Sequence, residues 1–290
     1  MSEGQNAIVV GVDGSEDSLR AVGWAARVAR TRREPLHVVH AFAPLTGLGN
    51  AGLPVLREAY DALVQVARGE LAKAVRAAGE GVAVTSEMPN DPPVPALVER
   101  SRRARMLVLG ASGAGGFSGM LAGSTTVAVS AHAVCPVAVI RGRDTAEGPV
   151  AVGVDGSAAA ERALEIAFEE ACWRGVPLVA VHSWLDTDFG GYPGTVPFLA
   201  DWDDIERDEQ RLLAEQLAGW QEKYPDVQVE RVVVRDRPRH QLLSWSTRAQ
   251  LVVAGTRGRG GFAGLLLGST SQALIHHAQC PVLITPAVRP

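Results

Sequence analysis

The chain has 290 residues, 47% of them hydrophobic and 21% charged, with a formal net charge of -4 and a pI near 6.0. That length suits two domains with real cores, and the charge provides no global basic field, which argues against nucleic acid as the main partner. No apolar run reaches the roughly 18 residues of a membrane span, the first six residues lack a basic and apolar signal segment, and three cysteines are too few for a disulfide framework. The sequence therefore reads as a cytoplasmic protein with no membrane partner.

The first elements follow from apolar patterning. Ile8 to Val12 is fully apolar, as expected of a strand buried on both faces. It runs into Gly11-Val12-Asp13-Gly14-Ser15, where Ser15 can cap a helix continuing through Arg33, with Leu19, Val22, Ala26 and Ala29 on one face. Leu36 to Ala41 predicts the second strand. Tyr60 to Ala78, rich in Ala, Leu and Val at helical spacing, predicts the second helix, and Pro95 to Arg103 a shorter one. Met106 to Leu109 is a further buried strand, followed by a glycine-rich loop, a helix from Ser124 to His132 and a last strand from Val137 to Ile140. Five strands alternating with four helices predict an open, parallel α/β sheet with helices on both faces, Rossmann-like in class.

The whole pattern then returns. "AIVVGVDGS" (7–15) reappears as "VAVGVDGSA" (150–158), "PLHVVHAF" (35–42) as "PLVAVHSW" (177–184), and "HAVCPVAVI" (132–140) as "HAQCPVLIT" (277–285). Asp13 to Asp155 is 142 residues and Gly110 to Gly255 is 145. A near-constant offset over half the chain means a duplicated domain, with a period far longer than that of solenoids. The expected domains are 1–143 and 148–290, divided within the polar "RGRDTAEGP" (141–149); the second carries a longer polar insert at 186–204.

Ligands of open α/β sheets bind beyond the carboxyl ends of the strands, where strand order reverses. Three features of each half fall there: the Asp-Gly-Ser after strand one, the end of strand two at Ala41 or Ser183, and a loop spaced Gly-x2-Gly-x9-Gly-Ser-Thr. In the first half that loop is Gly110, Gly113, Gly123, Ser124 and Thr125; in the second, Gly255, Gly258, Gly268, Ser269 and Thr270. Glycine lets backbone and ligand approach closely, and amides and hydroxyls at a helix N-terminus attract anions. A carboxylate accepts hydrogen bonds from sugar hydroxyls, so acid and loop together point to a nucleotide. A Walker loop is excluded because "GLLLGST" has no Lys before its Ser-Thr, and no Gly-x-Gly-x-x-Gly follows strand one. The missing lysine favours binding over fast phosphoryl transfer. The second loop also carries Arg257 and Arg259 where the first has Ser112 and Ala114, adding bidentate phosphate donors.

Val-Asp-Gly-Ser after strand one, the Gly-x2-Gly-x9-Gly-Ser-Thr loop and the following His-x2-Cys-Pro-Val resemble the universal stress proteins in their tandem two-domain form. The resemblance implies a strand order of 3-2-1-4-5 in each half and ATP, with or without nucleotide-bound Mg, at the switch point of each sheet. It implies that Asp13 meets the ribose and adenine, that Ala41 lines the base, that Gly110 and Gly113 pass under the ribose and phosphates, and that Gly123, Ser124 and Thr125 bind the phosphates. The corresponding second set is Asp155, Ser183, Gly255, Gly258, Gly268, Ser269 and Thr270. It further implies a homodimer and a role with a regulatory protein partner in stress response or growth arrest.

Other constellations carry less. His132 with Cys135 and His277 with Cys280 supply two metal ligands per half where structural zinc needs four, so no side-chain metal site is expected and the cysteines read as buried hydrophobes. His40 and His182 read as hydrogen-bonded structural residues. "RSRRAR" (100–105) reads as a solvated helix end, and Trp184, Trp202, Trp220 and Trp245 as core or interface. No catalytic residue is named. The alternatives to an ATP-binding regulator are a slow ATP hydrolase or nucleotidyl or phosphoryl transferase on the same fold, and a nucleotide-independent assembly scaffold.

Overall fold

The computed structural model describes residues 6–42, 54–113, 122–184, 202–258 and 266–286. The chain divides into two compact units, Met1–Arg141 and Gly142–Pro290. The first runs β1 (Ile8–Gly11), α1 (Glu16–Arg32), β2 (Leu36–Val39), α2 (Pro54–Ala77), β3 (Val84–Glu87), α3 (Pro93–Ser101), β4 (Met106–Gly110), α4 (Ser124–His132) and β5 (Val137–Ile140). The second repeats it as β6 (Val150–Gly153), α5 (Ala158–Arg174), β7 (Leu178–Ser183), α6 (Trp202–Lys223), β8 (Val229–Val234), α7 (Pro238–Trp245), β9 (Leu251–Gly255), α8 (Ser269–His277) and β10 (Val282–Thr285).

Within each unit all strands are parallel. The order is β3-β2-β1-β4-β5 in the first and β8-β7-β6-β9-β10 in the second, the expected 3-2-1-4-5 arrangement. Strands β1, β4 and β5 are buried at every position, as are β10 and all but the last residue of β6 and β9. That is why their sequences are unbroken apolar runs rather than alternating ones. The outer strand β3, Val-Thr-Ser-Glu, is only half covered and has no such run, so hydrophobicity alone does not mark it. Ser15 caps α1 as its position suggests, its hydroxyl accepting from the Ser18 amide at 3.1 Å, and Ser157 does the same for α5 with Ala160 at 3.2 Å.

Some boundaries move for local reasons. β2 ends at Val39, so His40 and Ala41 stand just beyond the sheet. α3 starts at Pro93, a residue that suits the first helical turn because its missing N–H would have no partner there. α2 begins six residues before Tyr60, at Pro54. The polar insert of the second unit lies outside the described residues except for its last three positions, which open α6. No helix among the described residues is long and apolar enough to cross a membrane.

Candidate functional site

Strand order reverses at β1, with β2 on one side and β4 on the other, and at β6 between β7 and β9. Connections leave in opposite directions from these points and open a cleft at the carboxyl ends. The chain just past β1 makes a tight turn. Gly14 takes φ +82° and Gly156 φ +73°, values that side-chain-bearing residues seldom adopt. The turn brings Ser15 back onto Asp13, whose Oδ1 accepts from the Ser15 amide at 3.1 Å and its hydroxyl at 2.6 Å. Asp155 Oδ1 accepts from Ser157 in the same way, at 3.0 and 2.6 Å.

The second carboxylate oxygen faces the glycine loop. A Cβ on Gly113 would lie 2.7 Å from Asp13 Oδ2, and one on Gly258 would collide with Asp155 Oδ2. Neither glycine has positive φ; what matters at both is the absence of a side chain where loop and carboxylate meet. Acid and loop, about a hundred residues apart in sequence, are therefore in contact in both units.

Gly110 and Gly255, for which the resemblance implies ligand approach, also meet a packing need. A Cβ on Gly110 would lie 2.7 Å from the Asp17 carbonyl carbon and 2.9 Å from the Ser18 nitrogen, both main-chain atoms of α1. At Gly255 it would lie 2.9 Å from Ala159 Cβ and from Ala159 oxygen. Both glycines let the strand end close against the first helix of the unit.

Beyond these glycines the loop is pinned at its two ends. The Gly123 amide donates to the Ala111 carbonyl at 2.8 Å, and Gly268 to Thr256 at 2.7 Å. Thr126 and Ser271, one turn into the following helices, hydrogen-bond back to the carbonyls of Gly110 and Gly255 at 2.9 and 2.6 Å. Gly123 and Gly268 stand at the N-cap positions of α4 and α8 without a side-chain cap, so the first turns present Ser124-Thr125 and Ser269-Thr270. Loop residues 114–121 and 259–265, with Ala114 and Arg259 among them, lie outside the described residues. Arg257 is described and exposed.

On the other side of each cleft a buried histidine stands at the carboxyl end of strand two, His40 just past β2 and His182 in the last two residues of β7. His40 Nε2 is 2.9 Å from Glu70 Oε2, and His182 Nε2 is 2.7 Å from Glu209 Oε2 while its Nδ1 is 2.7 Å from the Val154 carbonyl. Both histidines are hydrogen-bonded, as the structural reading of them expects. Next in sequence come Ala41 and Ser183; the Ser183 hydroxyl oxygen is buried and has no hydrogen-bond partner among the described residues.

Glu70, Glu209 and Asp17 were not legible as site residues. The histidine-to-glutamate separations are 30 and 27 residues, so matching the two repeats does not pair the glutamates. Asp17 reads as an ordinary helix-start acid, yet its Oδ2 accepts from the Ser112 amide at 3.1 Å in the glycine loop. Other expectations resolve away from the cleft. Arg100 of "RSRRAR" is no solvated end: it grips Glu87 through Nε at 2.5 Å and Nη2 at 3.1 Å. Cys135 and Cys280 are buried thiols that form no disulfide, and burial pushes the Cys135 thiol up to about 12. Among the described residues no group of three or more His, Cys, Asp or Glu could hold a metal ion.

Two doubly wound α/β units, each with an acid and a pinned glycine loop at its switch point, define a duplicated protein whose clefts suit a small polar ligand. The chain belongs to the universal stress protein family, whose model matches residues 6–141 and 148–286. It is 43% identical to the universal stress protein Rv2623 of Mycobacterium tuberculosis over 98% of both chains, and 42% identical to Rv2005c of the same organism over 97% of both. Among solved structures, a universal stress protein from Archaeoglobus fulgidus shares the fold with a TM-score of 0.70 at 22% identity, covering 98% of this chain and 99% of that one.

Proposed function

We propose that this chain is a nucleotide-dependent regulator of stress response or growth arrest that holds one ATP in each unit. The observation that supports this most is the repeated contact of an aspartate turn with a glycine loop leading into an uncapped helix N-terminus. A carboxylate suits ribose hydroxyls, and the loop and helix start suit phosphates. The residues fit the group on two counts. A Cβ would fill the space at Gly113 and Gly258, and the buried Ser183 hydroxyl has no partner among the described residues where the base would lie.

In the first unit Asp13 would accept from the ribose, Ala41 would line the base, and Gly113, Gly123, Ser124 and Thr125 would hold the phosphates. In the second, Asp155, Ser183, Gly258, Gly268, Ser269 and Thr270 would do so, with Arg257 and Arg259 adding charge. Gly110 and Gly255 shape each cleft from behind by letting the first helix close in. Bound ATP would supply a multiply charged phosphate chain, with or without Mg, whose presence alters the surface offered to a partner. The choice of adenine and the regulatory role rest on the family, as do homodimerisation and a cytoplasmic setting. The test is mass spectrometry of the small molecules released by denaturing freshly purified chain. About two adenine nucleotides per chain are expected, one per acid-and-loop set; an undepleted sample that releases none would overturn the reading.

A further inference from the structure

We infer that Glu70 and Glu209 are positioning residues that brace the second helix of each unit against the rim of its nucleotide cleft, an inference that rests on the nucleotide reading above. His40 and His182 are buried at the ends of strand two, and each gives its Nε2 to a glutamate on the following helix, α2 or α6. The residue after each histidine, Ala41 or Ser183, is the one assigned to the base. The two units reach the same pair across different separations, 30 residues and 27. The contact is therefore kept while the connection leading to it changes length, and it is not a by-product of one loop.

In the first unit the same carboxyl makes a second contact. Gly14 holds φ +82° with its Cα turned toward Glu70, so that any Cβ there would collide with the Glu70 carboxyl group. Gly14 lies between Asp13 and Ser15, which are hydrogen-bonded to each other. One carboxyl group thus touches both walls of the cleft: the strand end beneath the base and the turn that aims the sugar acceptor. A group in that position fixes the distance between the two walls before ligand arrives, and preorganisation of this kind raises affinity without adding a ligand contact.

Removing a brace that only holds a helix on a sheet would lower stability and nothing more. A brace of the cleft has a further consequence through linkage. If the glutamate favours nucleotide binding, nucleotide binding favours the braced helix by the same factor. ATP should then slow amide exchange along α2, and should stop doing so when the carboxyl is removed.

The experiment uses the full chain carrying Asp155→Ala, which weakens the second site, and follows Mg-ATP titration by hydrogen–deuterium exchange over residues 60–77, so that the first site is read by position. Glu70→Ala should weaken ATP about five- to tenfold, the scale of one typical net hydrogen bond, and should abolish the ATP-dependent slowing. Glu70→Gln keeps an acceptor for the imidazole N–H and should restore both to within about twofold. Glu209→Ala in an Asp13→Ala background should act likewise on the second site. ATP binding and exchange slowing that are the same in Glu70→Ala as in its parent would overturn the inference and leave the nucleotide reading standing. A wild-type chain that neither binds ATP nor changes its exchange overturns both. If Glu70→Ala unfolds, Glu70→Gln decides: affinity lost in a folded Gln variant overturns the hydrogen-bond account.

Discussion

At the root of the glycine loop the first unit places Asp17 beside Ser112, with the Asp17 carboxylate accepting from the Ser112 amide, while the second unit has Ala159 and Arg257 at the same two positions. The first pair carries one negative charge and the second one positive charge, a difference of two where the phosphates would arrive. On the opposite wall the first unit has Ala41 where the second has Ser183, a methyl group in place of a buried hydroxyl that has no hydrogen-bond partner among the described residues. What does not differ is the frame: the aspartate turn, the close-packed glycines, the pinned loop and the histidine–glutamate pair. Duplication has kept the parts that set distances and varied the parts that set charge and polarity, so under the proposed function the two clefts would hold one kind of ligand with unequal grip.

The shared frame is tested hardest at Gly110 and Gly255. Gly110→Ala drives a Cβ to 2.7 Å from main-chain atoms of α1, and Gly255→Ala to 2.9 Å from Ala159. Rigid backbone cannot yield as a flexible side chain would, so each should destabilise its own unit by about 1–3 kcal/mol, the scale of overpacking. Calorimetric melting with unit-resolved hydrogen exchange reads this directly. Gly255→Ala should be the milder of the two, because one of its close neighbours is a methyl group. Melting of both variants at the wild-type temperature would show that the close approach to the first helix is not what these glycines serve.

Next come the acids. Asp13→Ala and Asp155→Ala should each weaken ATP at their own site by about 1–3 kcal/mol, the penalty of a desolvated partner left unmet, with the other site unchanged. Loss of Asp13 also frees the Ser15 hydroxyl from its 2.6 Å bond, so a modest fall in stability is expected alongside. Titrations that show equal ATP affinity with and without the carboxylate would remove Asp13 and Asp155 from the binding set.

Much of this frame is legible in the sequence, and the reasons are physical. Strands buried on both faces must be continuous apolar runs, so β1, β4 and β5 announce themselves. Ser15 caps α1 through a local bond three residues long, which sequence spacing can express. The universal stress protein resemblance is carried by glycines whose spacing the loop geometry demands. The contacts that escape are long-range and polar. Asp17 to Ser112 spans 95 residues, and Glu70 to His40 and Glu209 to His182 sit at unequal separations. The strand Val84–Glu87 escapes because an edge strand need not be apolar. The packing duty of Gly110 escapes for a related reason: a glycine motif shows that a Cβ is excluded, and only the fold shows which protein atoms exclude it.

The unequal grip is open to a direct test. With each site isolated, the second should bind ATP more tightly and with a steeper salt dependence, because exposed charge contacts are screened. Arg257→Ser should cut its affinity by about 0.5–1 kcal/mol, the range for an exposed charge contact. Asp17→Ala should raise first-site affinity by a similar amount. The double change should bring the two sites together. Equal affinities and equal salt slopes in the unmodified sites would mean that Asp17 and Arg257 do not act on the phosphates.

The smallest expected effect concerns acid. By strand register Glu87 corresponds to Val232 and His37 to Val179, so only the first unit has the Glu87–Arg100–His37 cluster at the end of its third strand. Hydrogen bonds from Arg100, helped by His37 and opposed by burial, hold the Glu87 carboxyl below its usual range. The second unit instead has Asp236, held at about 2 by hydrogen bonds from His240, Gln241 and the Arg237 amide. In both cases the folded pKa lies below the unfolded one. The contribution to stability is therefore full above the unfolded value of about 3.9–4.3 and is lost as pH falls through the folded value. For Asp236 that window runs from about pH 4 down to about 2. Glu87→Gln should remove part of the acid sensitivity of the first unit alone, and Asp236→Asn of the second alone, as read by unit-resolved exchange during acid titration. Carbon-13 NMR of the Asp236 carboxyl gives the sharper measurement. Its titration should fall near 2 in the wild-type chain and move up toward the ordinary value in His240→Ala, since the imidazole makes the largest contribution. An Asp236 that titrates at the ordinary value in both chains would show that the His240 contact, 2.6 Å in the structure, is not held in solution.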